Sequence, residues 1–132
     1  MAKKKRLRVF RKRLMRGAGM KRLKVWKSSE WLGHAKNEFD DYKRTGDKLK
    51  LAQAGENLWS AFGLKMDERF GRKFFGYMDL EDVIVSSGDR ELSDIARDAY
   101  WLHVFFYRGW TEDVRIEEGK WHNVFNWLKG RK

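Results

Sequence analysis

The chain has 132 residues, which suits a single domain, and 42% of them are hydrophobic, too many for a disordered protein. It contains no cysteine, which excludes disulfides, thiolate zinc sites and cysteine nucleophiles and is compatible with a reducing cytosol or a hot, thermophilic habitat. Its formal net charge is +11, which favours an anionic partner.

Residues 1–29, here called the basic arm, carry all of this excess charge. They contain thirteen Lys or Arg and no Asp or Glu, whereas residues 30–132 contain 17 basic and 19 acidic residues. The basic residues of the arm are Lys3, Lys4, Lys5, Arg6, Arg8, Arg11, Lys12, Arg13, Arg16, Lys21, Arg22, Lys24 and Lys27. Because such a segment repels itself in isolation and is stabilised beside a polyanion, we expect it to contact nucleic-acid phosphates without reading bases.

The hydrophobic residues of the arm recur at a helical spacing. Leu7, Phe10 and Leu14 form one narrow apolar stripe, and Gly17 and Gly19 are expected to break or bend the helix. Phe10, Leu14 and Trp26 would then pack on a partner subunit, or on bases if the nucleic acid is single-stranded. A solvated basic tail, used for solubility or nuclear import, is the alternative interpretation of the same segment.

The first helix after the arm is predicted to begin at Ser28 or Ser29, as N-cap, and to end near Thr45 and Gly46. Its apolar stripe is Trp31, Ala35, Phe39 and Tyr42. The next helix is predicted to start at Asp47 and to end at Gly63. Its buried face is Leu51, Ala54, Leu58 and Phe62.

Four further segments follow. The residues Met66, Phe70 and Phe74 predict a segment that Gly76 stops, and those from Asp79 to Ile84 predict a short helix with its exit at residues 86–88. A long helix capped by Asp89 is predicted to end at Gly109, with Leu92, Ile95, Ala96, Ala99, Leu102, His103 and Phe106 on its core face. The last helix is predicted to begin at the acidic run from Thr111 and to end at Gly130, with Val114, Trp121, Val124, Phe125 and Leu128 inward.

These patterns predict an all-α protein in which the basic arm precedes an antiparallel bundle of about four helices over residues 30–132. No strand-like alternation is sustained, and the absence of proline favours helices joined by glycine turns. No apolar run reaches the length of a membrane span, and no hydrophobic segment follows the first charges. We therefore expect a cytoplasmic or virion protein without a secretory signal.

Arg97 and His103 are the strongest candidates for catalysis. Such a pair could cleave RNA, with the histidine as acid or base and the arginine stabilising the phosphorane charge. Six residues along a helix, however, place the two side chains about 120° apart, so one site would need a distorted helix or two subunits. The residues alone favour another interpretation, in which Arg97 is a surface arginine and His103 is a hydrogen-bonded histidine at the edge of an apolar face.

The other titratable residues predict no metal site and no cofactor. His34 shares a helix face with Glu30 and Glu38, which is typical of a surface ion cluster. The three histidines, His34, His103 and His122, have no metal-ligand spacing. The acidic run that begins at Asp79 is typical of a helix N-terminus.

Two stretches of the sequence resemble archaeal HEPN domains. LAQAGENLWSA at residues 51–61, after Gly46 and Asp47, resembles their first core helix, and LHVFFYRGW at residues 102–110 resembles an L-H-x-x-F-Y-x-G-W signature. The resemblance covers residues 35–130 and implies a compact, often dimeric helical bundle. Many members of the wider family are metal-independent RNases with an R-x(4–6)-H motif, whose spacing Arg97 and His103 match. Phe105 and Arg108 depart from that branch, as does the basic arm.

The layout of the chain is also similar to coat proteins of filamentous and rod-shaped archaeal viruses. There, the resemblance implies, basic helical arms wrap duplex DNA while small helical bundles pack side by side. We therefore expect a nucleic-acid-binding protein of packaging or coat type, with duplex DNA as the favoured partner and a homo- or hetero-oligomeric bundle. An HEPN-type RNase, or an inactive relative, is the alternative.

Overall fold

The computed structural model describes residues 26–108 and 113–130, which form five helices. They are α1 (Ser28–Thr45), α2 (Lys48–Phe70), α3 (Tyr77–Ser87), α4 (Arg90–Arg108) and α5 (Val114–Leu128). Helix α2 is the centre of the bundle, because α1, α4 and α5 all pack against it, and α3 packs on α4. No strand occurs within these ranges. The prediction of a helical bundle is confirmed, with five described helices where a bundle of about four was expected.

Helix α2 is longer than the sequence predicted. It runs through Gly63 without a break and ends only before Gly71, which adopts a left-handed conformation with φ of 66°. The prediction of an end at Gly63 was wrong because Leu58, Phe62 and Met66 continue one buried stripe across the glycine. Burial of that stripe outweighs the cost of about 1 kcal/mol for one glycine inside a helix.

The prediction of a separate segment from Met66 to Phe74 was wrong for the same reason. Met66 and Phe70 belong to α2, whereas Phe74 lies in the connection between α2 and α3. Its ring packs edge-on against Phe70 at 6.0 Å.

The caps of α2 and α4 are the predicted ones, the cap of α5 is Asp113 within the predicted acidic run, and the cap of α1 differs from the prediction. Carboxylate oxygens of Asp47, Asp89 and Asp113 accept backbone N–H groups at the starts of α2, α4 and α5. At α1 the N-cap is Lys27, not a serine. The hydroxyl of Ser28 instead donates to the carbonyl of Ala61 at 2.9 Å, which ties the start of α1 to the middle of α2. Gly109, Thr111 and Glu112 lie outside the described residues.

The core contains most of the predicted faces of α1, α2, α4 and α5, but Trp31, His103 and Phe106 are only partly buried and lie outside it. Trp121, 1% exposed, stacks on Phe39 and Phe125 at 4.0 and 4.7 Å. Its indole N–H donates to the carbonyl of Ala54 at 3.1 Å. These three rings, here called the Trp121 cluster, join α5 to α1 and α2.

Gly55 sets the distance between α2 and α4. A Cβ at this position would lie 3.2 Å from the Cβ of Leu102, closer than side chains normally pack. The glycine therefore lets α4 approach α2 closely enough for Leu102 to be buried and for the neighbouring His103 to reach α2.

Candidate functional site

A groove of about 850 Å³ opens beside α2, and aromatic side chains form most of its wall. We call it the aromatic groove. Its main lining residues are Trp26, Trp31, Glu56, Trp59, Phe75, Tyr77, Tyr100 and His103. A groove of this size is in the range that binds small ligands or short peptide segments.

The wall is a continuous set of ring contacts between α2, α3 and α4. Tyr77 stacks on Tyr100 at 4.3 Å, and Trp59 meets Tyr100 edge-on at 5.9 Å. Trp59 also stacks on His103 at 5.1 Å. These contacts hold the rings in place, so the wall is formed before any partner arrives.

The arm joins the bundle beside this groove. Trp26 directly follows residue 25, stacks on His34 at 4.1 Å and meets Trp31 edge-on at 4.6 Å. Both tryptophans line the groove. A segment that leaves the bundle at Trp26 therefore leaves it at the rim of the groove.

Phe75 also lines the groove and lies in the connection between α2 and α3. Its side chain is 96% exposed. Arg72 and Lys73 lie beside it in sequence. An aromatic ring this exposed contributes little to folding and is available to a partner.

A half-buried acid–histidine pair lies in the groove wall. The Nδ1 atom of His103 and an Oε1 atom of Glu56 are 2.8 Å apart. Burial raises the pKa of Glu56 above its ordinary value, and the hydrogen bond and charge of His103 partly oppose that rise. Sequence analysis missed Glu56, because nothing in the local pattern distinguishes it from a surface carboxylate.

The structure does not bring Arg97 and His103 together within one chain. Both lie on the regular helix α4, but the side chain of Arg97 is 60% exposed and pairs with Asp94 at 3.8 Å. Arg97 lies near enough to Tyr77 for its charge to oppose the effect of burial, which raises the pKa of that phenol. Because the helix is regular, the two side chains point in different directions, and a site that contains both Arg97 and His103 would need a second subunit.

The remaining predicted residues are placed as follows. His34 stacks on Trp26, and Glu38 pairs with Lys50 at 3.6 Å. Asp79 lies in the first turn of α3, as predicted, and accepts from Arg72 at 2.7 Å. In the ranges that the structure covers, no three side chains form a group able to hold a metal ion.

Of the thirteen basic residues of the arm, Lys27 is described, and the other twelve lie outside the described residues. The side chain of Lys27 is at the exposed start of α1. Its backbone N–H donates to Glu30 at 2.8 Å.

The cations of the bundle are largely paired with carboxylates of the bundle itself. At least nine of them make ion pairs: Lys36, Lys43, Arg44, Lys50, Arg69, Arg72, Arg97, Arg115 and Lys120. The same pairs engage nine of the bundle's carboxylates, which are thereby less available to the arm. The charges of these nine pairs balance one another, whereas the sequence of the arm contains no carboxylate.

Comparison with family models, with curated proteins and with solved structures gives no match to this chain. The resemblances to HEPN domains and to viral coat proteins therefore stay predictions from the sequence. None of the five described helices combines the length and apolar character that crossing a bilayer requires.

Proposed function

We propose that this protein binds nucleic acid without sequence preference, the basic arm contacting phosphates while the bundle makes protein–protein contacts. The separation of charge carries this proposal. The arm has thirteen cations and no carboxylate, and the rest of the chain has a small excess of acid. A polycation without internal counterions gains most from releasing the condensed ions of a polyanion.

The ion pairs of the bundle support the same assignment. Nine bundle carboxylates already face bundle cations, as at Lys36 and Asp40, 2.7 Å apart. The other ten carboxylates of the chain are fewer than the thirteen cations of the arm, so neutralising the whole arm within its own chain would require breaking such pairs. Phosphates of an external polyanion require no such exchange.

A packaging or coat protein is the form of this function that best fits the molecule. Many copies along one duplex would need a surface on the bundle for their neighbours. The aromatic groove and the exposed Phe75 provide such a surface at the place where the arm leaves the bundle.

Two charge variants test the proposal. One replaces Lys3, Lys4 and Lys5 of the arm by Gln, and its control replaces Lys36, Lys43 and Lys50 of the bundle by Gln. Both remove three positive charges. We expect the arm variant to bind duplexes of unrelated sequence about tenfold more weakly at about 0.1 M salt, and the control to bind like the unaltered chain. Equal losses in both variants would show that net charge alone acts and would contradict the proposal.

An RNase of HEPN type is a second candidate, and the pair of Glu56 and His103 favours it. A carboxylate that accepts from Nδ1 leaves Nε2 as the basic nitrogen of a histidine in the groove wall. Arg97 would have to come from a second subunit. Metal-free cleavage of single-stranded RNA that His103→Ala abolishes would support this candidate, whereas no cleavage by the unaltered chain would remove it.

A further inference from the structure

We propose that the aromatic groove binds the apolar stripe of the arm, Leu7, Phe10 and Leu14, from a neighbouring copy of this chain. The inference deepens the proposed function, on which it rests, by naming the contact that would link subunits along a nucleic acid. It follows from the chemistry of the groove, from its dimensions and from the point at which the arm is attached.

The chemistry of the groove suits a cationic amphipathic segment. The described residues that line it include two carboxylates, Glu56 and Asp67, many aromatic rings, and no lysine or arginine. Phosphates are disfavoured there, since carboxylates repel them. Residues 6–16 of the arm combine an apolar stripe with six cations, so they offer rings and methyl groups to the wall and positive charge to the carboxylates.

The dimensions also agree. The groove follows α2 from Glu56 to Asp67, which is about 16 Å of helix. A helix from Leu7 to Leu14 would span about 10 Å, and its stripe covers only one side. The cations on its remaining circumference would stay free to meet phosphates.

The point of attachment favours a neighbour over the same chain. Trp26, the first described residue after the undescribed part of the arm, lines the groove. In an arm that runs away along phosphates as a helix bent but not reversed at Gly17 and Gly19, Leu14 would lie up to about 18 Å and Leu7 up to about 28 Å beyond Trp26. An arm that leaves its bundle in this way carries the stripe past its own groove and towards the next subunit.

A labelled peptide of residues 3–16 tests this docking without nucleic acid. The receiver is the full-length chain with Leu7, Phe10 and Leu14 replaced by Ser, whose own arm cannot compete through the stripe. We expect saturable binding, and binding at least about tenfold weaker for a peptide in which the same three residues are Ser. Equal binding of both peptides would mean that charge alone attracts them and would overturn the proposal.

A matched pair of exposed apolar positions locates the docking site. Phe75 lines the groove, whereas Val85, which is 59% exposed, does not. Phe75→Ser in the receiver is expected to weaken binding of the unaltered peptide about fivefold or more, and Val85→Ser to leave it unchanged. Equal effects of the two substitutions would contradict a site in the groove.

Two further measurements decide which segment and which molecule occupy the groove. The unaltered chain is expected to bind duplex DNA cooperatively, and the Leu7, Phe10, Leu14→Ser chain to bind with the same salt dependence but without cooperativity. Non-cooperative binding by the unaltered chain would overturn the neighbour contact and leave the phosphate-binding function intact. The peptide is also tested against the unaltered chain at dilutions where that chain is monomeric. If the peptide fails to bind there, the groove is occupied by the chain's own arm, and the proposal is overturned.

Discussion

Two aromatic clusters lie on opposite sides of α2, and they differ in what covers them. The Trp121 cluster is sealed by α1 and α5, and the Trp121 side chain is 1% exposed. The rings around Trp59 also contact one another but line an open groove. Both clusters are built from aromatic side chains around one tryptophan, so aromatic content alone does not tell them apart. The difference indicates that one cluster serves stability and that the other is available to a partner.

The largest effect is expected from Trp121→Ala. It removes the buried ring stack and the hydrogen bond to Ala54, and should lower the free energy of unfolding by about 3–5 kcal/mol. Trp59→Ala, in the groove wall, should cost only about 1–2 kcal/mol because that ring is half-exposed. Urea denaturation followed by circular dichroism measures both. Equal losses would remove the distinction between the clusters.

A smaller effect, confined to the sealed side, is expected from Tyr42→Phe. The hydrogen bond that the phenol donates to Glu118 at 2.6 Å, together with burial, raises the pKa of Tyr42 from 10.0 to about 12. This stabilisation is fully present below pH 10 and is lost as the pH rises towards 12. The variant should be about 1–2 kcal/mol less stable at neutral pH. Its deficit should shrink when unfolding is measured above pH 10, and a deficit independent of pH would contradict this account.

On the groove side, Glu56→Gln should change how stability depends on pH. Burial raises the pKa of Glu56, so its contribution to stability is fully present below the ordinary value of 4.5 and declines as the pH rises through the folded-state pKa. The difference in unfolding free energy between the unaltered chain and the variant should therefore move in the variant's favour above pH 4.5. We expect a change of about 1 kcal/mol or less. A difference that moves the other way would show that the ion pair with His103 outweighs burial.

The smallest effect is expected from Phe75→Ser. The side chain is 96% exposed, so the free energy of unfolding should change by less than about 0.5 kcal/mol. Thermal and urea unfolding would test it, with Val85→Ser as the matched exposed control. A loss of more than about 1 kcal/mol would place Phe75 in the fold rather than on a free rim.

Helical spacing predicted most of the bundle because each buried stripe recurs within one element. Leu51, Leu58 and Phe62 mark α2, and Trp121 and Val124 mark α5. The local sequence pattern gave the wrong helix end at Gly63, because this glycine, a residue type that often ends helices, lies inside α2. There the long-range packing of Met66 decides the outcome, and a local pattern does not contain it.

The groove could not be predicted from the sequence. Glu56 and His103 are 47 positions apart, and Trp26, Trp59 and Tyr77 come from three separate parts of the chain. Their meeting depends on the close approach of α2 and α4 at Gly55 and on the bond from Ser28 to Ala61. The resemblance to HEPN domains drew attention to residues 51–61 but gave Glu56 and Trp59 no role.

The dependence of nucleic-acid affinity on salt tests the central claim most directly. If about half of the thirteen arm cations meet phosphates, the logarithm of the association constant should fall with the logarithm of salt concentration at a slope of roughly −6. The measurement uses the full chain and a labelled duplex between about 50 and 200 mM salt. A slope near zero, or no binding to duplex or single strand across that range, would contradict a basic arm that acts on phosphate.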